Sequence, residues 1–237
     1  MPQMNSGTSY LFNAELPGAV AERTLPKIKE SAMLILGIYF ALTVIETVLL
    51  LLAGVPLWLA LNLTLATVAT GGFSYFHDSL IYFDSLAVEI IAIVFMLIAS
   101  MNFSLYYKIW RGDWQAFRDD MEHRYYLLIL SVAACMIFCN IYFTGYMDFE
   151  GSLRHSIFQA VSIGSTTGFA SDDFNNWPSF SRYVLLLLMF IGGCSGSTAG
   201  GLKISRLVIL CKASWAELLR ILHPKIVYSV KMGNKVI

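Results

Sequence analysis

Charged residues are scarce in this chain of 237 amino acids: they make up 14% of it, against about 25% in an average soluble domain. The 16 basic and 16 acidic side chains cancel, so no excess of positive charge points to a nucleic acid as partner. Apolar residues make up 57% of the chain, more than a soluble protein of this length can bury. The composition excludes a disordered protein and an ordinary soluble enzyme, and it indicates that the solvent is lipid.

Patterns for metal binding and redox chemistry are also missing. The four cysteines form no Cys-x-x-Cys pair, and each lies in or beside an apolar segment, as a small hydrophobic residue does. The four histidines are scattered without metal-ligand spacing. Residues 1–30 carry charges and have no apolar core, so we expect no secretory signal there. We also expect no enzyme, because an intramembrane enzyme needs a nucleophile with its base or a metal cluster.

Three apolar stretches are long enough to cross about 30 Å of hydrocarbon at 1.5 Å per residue. They are residues 32–55, 86–107 and 125–147. A fourth stretch, 183–210, is interrupted by GGCSGSTAGG, which predicts a broken helix. Two shorter segments, 56–68 and 151–164, have the length of re-entrant half-helices. Since irregular backbone at membrane depth must line protein or water, two half-helices imply a cavity.

The distribution of charge predicts an orientation. Three, four and seven basic residues lie in the N-terminal segment, the loop 108–124 and the tail after Gly201, which the positive-inside rule places in the cytosol. The opposite side keeps only Arg154 and Arg182 as basic residues. It collects acidic residues, as the entrance of a cation pathway does, and these are Asp78, Asp84, Asp148, Glu150, Asp172 and Asp173.

An internal repeat is the most informative feature of the sequence. ATGGFS at 69–74 and STTGFA at 165–170 lie 96 residues apart, and the flanking spans match at the same offset. The unit of span, half-helix, glycine loop and span therefore occurs twice in one orientation, which builds a pore along the membrane normal. The predicted divisions are a cytosolic N-terminal segment (1–31), a pore repeat (32–107), a cytosolic loop (108–124), a pore repeat with a broken last helix (125–210) and a cytosolic amphipathic tail (211–237).

The loops after the two half-helices are candidates for cation binding. Backbone carbonyls replace the water around an alkali cation where glycine lets the chain turn, and each half-helix directs the negative end of its dipole to the same place. The alternative, a plain turn at each Gly-Phe, is disfavoured because two copies occur in matching context. The predicted filter residues are Thr67, Val68, Ala69, Thr70, Gly71, Gly72, Ser165, Thr166, Thr167 and Gly168.

Three segments, TVATGGFS, SIGSTTGFASDDF and GGCSGSTAGGLKISR, resemble the membrane subunit of Trk-type bacterial potassium transporters, the TrkH/Ktr/HKT superfamily. LFNAELPG at 11–18 also resembles the segment that follows the first repeat of that family. The resemblance implies four repeats around one potassium-selective pore, of which this chain matches the second and third. The expected fold is an all-α integral membrane protein with two parallel helix–pore-loop–helix repeats of a pseudo-fourfold, potassium-channel-like pore.

The resemblance also implies a function and partners. The function is potassium uptake across the bacterial inner membrane, with K+ as the transported ion and no covalently bound cofactor. The expected partners are the lipid bilayer, either a second copy in a homodimer or complementing repeats of the same transporter, and a cytosolic nucleotide-binding regulatory subunit on 108–124 and the tail. No nucleic acid is expected. The alternative is a truncated or split-gene fragment that is inactive alone and serves only in assembly.

The segment GGCSGSTAGG fits no soluble motif. Lys203 is misplaced for a phosphate-binding loop, and the sequence fails the G-x-S-x-G pattern of a nucleophile elbow at its last position. A small-residue helix-packing face and a flexible intramembrane loop both remain. By resemblance the segment is the gate of the family, with Lys203 at its cytosolic end. The predicted gate residues are Gly192, Gly193, Cys194, Ser195, Gly196, Ser197, Thr198, Ala199, Gly200, Gly201 and Lys203.

Polar residues within the predicted spans are costly, at least ~2.5 kcal/mol for a charge at membrane depth. Glu46 and Glu89 either line the ion path or are buried, protonated or hydrogen-bonded against neighbouring helices, and we favour burial. Asn102 is expected to form a hydrogen bond between helices. Residues 212–230 predict an amphipathic cytosolic helix that ends near Pro224.

Overall fold

The computed structural model describes residues 28–222, 231–232 and 235–236. The α-helices are α1 (Ile28–Leu52), α2 (Leu57–Val68), α3 (Leu86–Ser100), α4 (Phe103–Trp110), α5 (Trp114–Asp119), α6 (Met121–Phe143), α7 (Phe149–Gly164), α8 (Ser179–Phe190) and α9 (Ile204–Leu222). Two 3-10 turns cover Ser79–Phe83 and Phe174–Asn176, and strands β1 (Lys231–Met232) and β2 (Lys235–Val236) pair antiparallel. The predicted all-α class is confirmed.

Parts of the two predicted ends lie outside the described residues. These are residues 1–27, which include LFNAELPG and the region expected to have no secretory signal, and residues 223–230, where the tail helix was expected to end. Within the described residues, no break separates Leu210 from Cys211, because α9 runs on to Leu222. The amphipathic helix of the predicted tail is therefore continuous with the second part of the broken helix.

Two helices, α1 and α6, are long and apolar enough to cross a membrane, and α3 with α4 forms a third candidate if the bent pair counts as one span. Large apolar side chains on these helices face outwards: Phe40, Leu52 and Phe143 are each more than two-thirds exposed. In water such exposure would mark an interaction site, whereas in a bilayer it is the expected lipid contact. The half-helices α2 and α7 begin and end close to their predicted bounds.

The prediction of one continuous span over residues 86–107 is wrong. Helix α3 ends at Ser100, and α4 leaves it at an angle of 93°. Met101 is extended, with φ −90° and ψ 163°, and the side chain of Asn102 accepts a hydrogen bond of 2.9 Å from the amide of Ser104. Asn102 therefore caps the start of α4 instead of joining two helices as expected, and this cap fixes the bend.

The helices pack as two groups with one junction. Helices α1, α2 and α3 contact one another, as do α6, α7 and α8, and the two groups meet where α3 packs against α7. One apolar cluster extends across this junction, with Ala60 and Met96 from the first group and Phe158 and Phe169 from the second. The junction places the C-terminal ends of the half-helices α2 and α7 on the same side of the core.

A buried ion pair reinforces the junction. Arg154 on α7 donates from Nε to Glu89 Oε2 at 2.7 Å and from Nη2 to Glu89 Oε1 at 2.8 Å. Glu89 lies on α3 and its side chain is 3% exposed, while that of Arg154 is 28% exposed. These hydrogen bonds raise the pKa of Arg154, so the guanidinium stays charged. Glu89 is thus buried and hydrogen-bonded against a neighbouring helix, which is the interpretation we favoured.

We expect Arg154→Met to lower the midpoint of thermal unfolding in detergent by about 6–12 °C, because Glu89 loses its partner while remaining buried. Because the Arg154 side chain is partly exposed, we expect the cost at the lower end of the about 3–5 kcal/mol typical of broken buried pairs. Arg182→Met is the matched control, since Arg182 is exposed and, among the residues that the structure describes, its guanidinium donates only to Ser179 Oγ, at 3.2 Å. Equal midpoints for the two variants would contradict this account of the junction.

Candidate functional site

The predicted filter loops, here the first half-helix loop (residues 67–72) and the second half-helix loop (residues 165–168), share an unusual backbone. Thr70 has φ +50° and Thr166 has φ +60°, although non-glycine residues rarely adopt positive φ. Two residues later Gly72 has φ +64° and Gly168 has φ +90°. A threonine forced into the same strained conformation at matching positions indicates that both loops are built to one plan.

The hydrogen bonds of the two loops also match at the offset of 96 residues. In each loop, one carbonyl in the last turn of the half-helix accepts hydrogen bonds from two successive loop amides. The pairs are Gly71 and Gly72 on Ala66 O, at 2.8 and 3.3 Å, and Thr167 and Gly168 on Ser162 O, at 3.0 and 3.1 Å. The loop amides are therefore directed back at their own helix, which leaves the loop carbonyls to face elsewhere.

Seven of these carbonyls accept no hydrogen bond within residues 28–222. They are the oxygens of Thr70, Gly71, Gly72, Ser165, Thr166, Thr167 and Gly168. A carbonyl oxygen at membrane depth is a strong acceptor that must be satisfied by something. The two loops thus present the kind of oxygen donor that replaces water around an alkali cation.

The two half-helix loops touch. A Cβ atom built on Gly72 would lie 1.9 Å from the carbonyl oxygen of Thr167 and 2.9 Å from its carbonyl carbon. Only glycine allows this approach, because the obstacle is backbone and not a flexible side chain. The contact brings residues that are far apart in sequence into one site.

The predicted gate residues 192–201, here the break loop, contact both half-helix loops. The hydroxyl of Thr198 lies 2.9 Å from Val68 O, and the hydroxyl of Thr70 donates to Thr198 O at 3.0 Å. On the other side, the amide of Gly200 donates to the hydroxyl of Thr166 at 2.8 Å. The break loop therefore lies directly against the candidate cation site.

The break loop is irregular and tightly folded. Its ends are joined because the amide of Gly192 donates to Leu202 O at 2.9 Å, and a Cβ atom on Gly192 would lie 1.8 Å from Gly200 O. The alternative of a small-residue helix-packing face is wrong, since the segment between α8 and α9 is not helical. Lys203 follows the loop and its ammonium group donates to Ala199 O.

The bend between α3 and α4 receives the break loop. The amide of Cys194 donates to Ser100 O at 2.9 Å, and the amide of Phe103 donates to Gly196 O at 3.0 Å. These bonds use backbone groups that a straight α3 would have paired internally. The bend is therefore the docking place of the break loop, which explains why hydropathy alone did not predict it.

Glu122 is a residue of this site that sequence reasoning missed. Its side chain is 3% exposed, and Oε1 accepts hydrogen bonds from Ser195 N at 2.8 Å, Ser195 Oγ at 2.9 Å and Ser205 N at 3.0 Å. The signal available in the sequence was an acidic residue in the first turn of a long apolar helix. That signal alone equally fits an ordinary helix start.

Glu46 differs from Glu89 in having no hydrogen-bond partner for its carboxylate within the described residues. Glu46 is fully buried on α1. The burial of Glu46 agrees with the interpretation we favoured. That its role is structural, and not that of an ion-path residue, stays a prediction.

Helices that are long and apolar enough to cross a bilayer define a helical membrane protein, a class that includes ion channels and transporters. The chain belongs to the TrkH family, described as cation transport proteins, whose family profile matches residues 2–237. This is a family of transport proteins and not of enzymes, as predicted.

Relatives and a solved structure extend the similarity over nearly the whole chain. Trk system potassium uptake protein TrkH of Halomonas elongata is 36% identical over 236 residues, and TrkG of Escherichia coli (strain K12) is 34% identical over 239 residues; they cover 99% and 100% of this chain. The crystal structure of the potassium transporter TrkH from Vibrio parahaemolyticus matches 96% of the chain with a TM-score of 0.86 and 35% identity. The chain spans about half the length of these relatives, 49% in each case.

We expect Gly72→Ala to lower the stability of the chain by about 1–3 kcal/mol more than Gly54→Ala does. Both glycines have positive φ, so alanine is strained at either position, but only at Gly72 does a Cβ atom meet backbone. Thermal unfolding in detergent measures the difference. Equal losses for the two variants would show that the half-helix loops do not touch as described.

Proposed function

We propose that this chain contributes two repeats of a potassium-selective pore and that its function is potassium uptake across the membrane. The observation that carries the proposal is the matched pair of half-helix loops, each with a left-handed threonine and with carbonyls that accept no hydrogen bond from the residues the structure describes. The proposal is supported by the relatives that are called Trk system potassium uptake proteins. As in the sequence interpretation, the filter is formed by residues 67–72 and 165–168.

In the proposed mechanism, K+ loses water at the half-helix loops and is held by backbone carbonyls. The helices α2 and α7 end at these loops, so each contributes about half a negative charge from its dipole at the position of the cation. Carbonyl dipoles bind a monovalent cation firmly enough to admit it and weakly enough to release it. No covalent step and no bound cofactor is required.

The break loop controls passage in this proposal. It is bonded to the first half-helix loop through Thr198 and to the second through Gly200, so it closes the cytosolic side of the filter. Opening requires these hydrogen bonds to break and the glycine-rich segment to move away. Lys203, bonded to Ala199 O, holds a positive charge beside the cytosolic exit, where it disfavours a cation while the loop is closed.

Two repeats cannot surround a pore alone. We propose that a second copy of this chain or complementing repeats of the same transporter supply the rest, in the inner membrane and with the basic loops in the cytosol. A nucleotide-binding regulatory subunit would contact 108–124 and the tail. The alternative is a truncated or split-gene fragment that is inactive alone and has a role only in assembly.

Gly168→Asp tests the filter. We expect rubidium influx to fall to background when this variant is co-expressed with the two missing repeats in cells that lack potassium uptake, because the carboxylate strains the loop and traps the cation. Gly145→Asp is the matched control: both glycines have positive φ and open space around a Cβ atom, but Gly145 lies outside the loops. Wild-type influx from Gly168→Asp would refute the pore and favour the assembly role.

Thr198→Val tests the gate. Valine keeps the shape of threonine and removes the hydroxyl beside Val68 O, which weakens closure by about 1 kcal/mol and raises resting rubidium influx about fivefold. Thr43→Val is the control, since in the described part of the chain the Thr43 hydroxyl donates only to Tyr39 O in its own helix, at 2.9 Å. Unchanged influx from Thr198→Val would show that the break loop does not restrain passage.

A further inference from the structure

A single carboxylate oxygen joins the break loop to the helix that follows it. Glu122 Oε1 accepts hydrogen bonds from the amide and the hydroxyl of Ser195, inside the loop, and from the amide of Ser205, in the first turn of α9. The two serine hydroxyls lie 2.7 Å from each other, which closes the cluster. One side chain therefore holds the loop and the helix that follows it in a fixed relation.

The chemistry at this point suits a carboxylate. The amide of Ser205 is one of the unpaired donors at the start of a 19-residue helix, where the dipole is positive and favours a negative group. Hydrogen bonds to an ionised acceptor are about twice as strong as neutral ones, and this cluster is buried from solvent. Loss of the acceptor leaves the Ser195 and Ser205 amides buried and unpaired, so the loop must rearrange to satisfy them.

Glu122 is itself held in place. It lies in the first turn of α6, whose start is capped by Asp120 Oδ2 on the amide of His123, at 3.3 Å. The guanidinium of Arg124 donates to Arg118 O at the end of α5. The ring of Phe117 on α5 lies 4.2 Å from the ring of His123. The start of α6, which carries Glu122, is therefore held by the turn between α5 and α6, while the Glu122 carboxylate accepts hydrogen bonds from Ser195 and Ser205.

We propose that Glu122 is the positioning residue of the break loop: its carboxylate oxygen clamps Ser195 to Ser205 and so keeps the loop against the half-helix loops. This rests on the proposed role of the break loop as a gate. The Glu122 carboxylate accepts its hydrogen bonds from Ser195 and Ser205, so it acts through the position of the loop.

The reactivity of the Cys194 thiol reports whether the break loop keeps its position. Cys194 is fully buried next to Ser195, and the other three cysteines can be replaced by serine. In the purified chain in lipid nanodiscs, we expect Glu122→Ala to raise the rate of Cys194 modification by N-ethylmaleimide at least about tenfold, the effect of losing one charge-assisted hydrogen bond. Glu150→Ala, in the exposed first turn of α7, is the matched control and leaves the rate unchanged.

Conservative variants separate positioning from general loss of structure. Glutamine keeps the acceptor oxygen at the same reach, so Glu122→Gln restores most of the protection of Cys194, whereas Glu122→Asp is one methylene too short and does not. Protection by aspartate but not by glutamine would overturn the proposal in favour of a pure charge effect. An equal rate of Cys194 modification in Glu122→Ala and in the wild type would overturn the proposal outright.

Transport distinguishes this proposal from the function on which it rests. In the co-expressed transporter, Glu122→Ala changes the maximal rate of rubidium influx and leaves the half-saturating concentration unchanged, because the filter residues are intact. A changed half-saturating concentration would overturn a role confined to the break loop. The wild type could show no rubidium influx while the Glu122 variants still change the rate of Cys194 modification. That result would support the positioning role of Glu122 and refute the proposed function.

Discussion

Backbone groups that leave a helix at membrane depth must find partners within the protein, since the hydrocarbon offers none. In this chain the bend after α3, the break loop and the half-helix loops supply many of these hydrogen-bond partners to one another. Cys194 and Thr198 of the break loop donate their amides to Ser100 O and Ala99 O at the end of α3, and the Thr198 hydroxyl reaches Val68 O. The bend, the break loop and the half-helix loops are therefore one hydrogen-bonded unit.

The repeat shows what a sequence can predict here. ATGGFS and STTGFA lie 96 residues apart, and the structure repeats the positive φ angles and the amide hydrogen bonds at that offset. Half-helix bounds were also close to those predicted, because length and hydropathy are local properties. Pro56 and Pro178, each just before a helix, mark starts for the same reason: proline lacks the amide that the helix start leaves unpaired.

Features that depend on distant partners could not be predicted. The bend at Met101 lies inside an apolar stretch and is fixed by the Asn102 cap and by contacts with a loop far along the chain. Glu122 meets Ser195 and Ser205, which are 73 and 83 residues away. Likewise, Glu89 and Glu46 look alike in sequence, yet only Glu89 has an arginine within reach in the described residues. Pairing across the fold, and not hydropathy, separates them.

The contact between Gly72 and the Thr167 carbonyl has a consequence for biosynthesis. The first half-helix loop leaves the ribosome long before the residue that packs against it has been translated. Its final backbone conformation must therefore wait until the second repeat has entered the bilayer, and until then the first half-helix packs against α1 and α3. The first repeat therefore enters the membrane before the contact between the two half-helix loops can form.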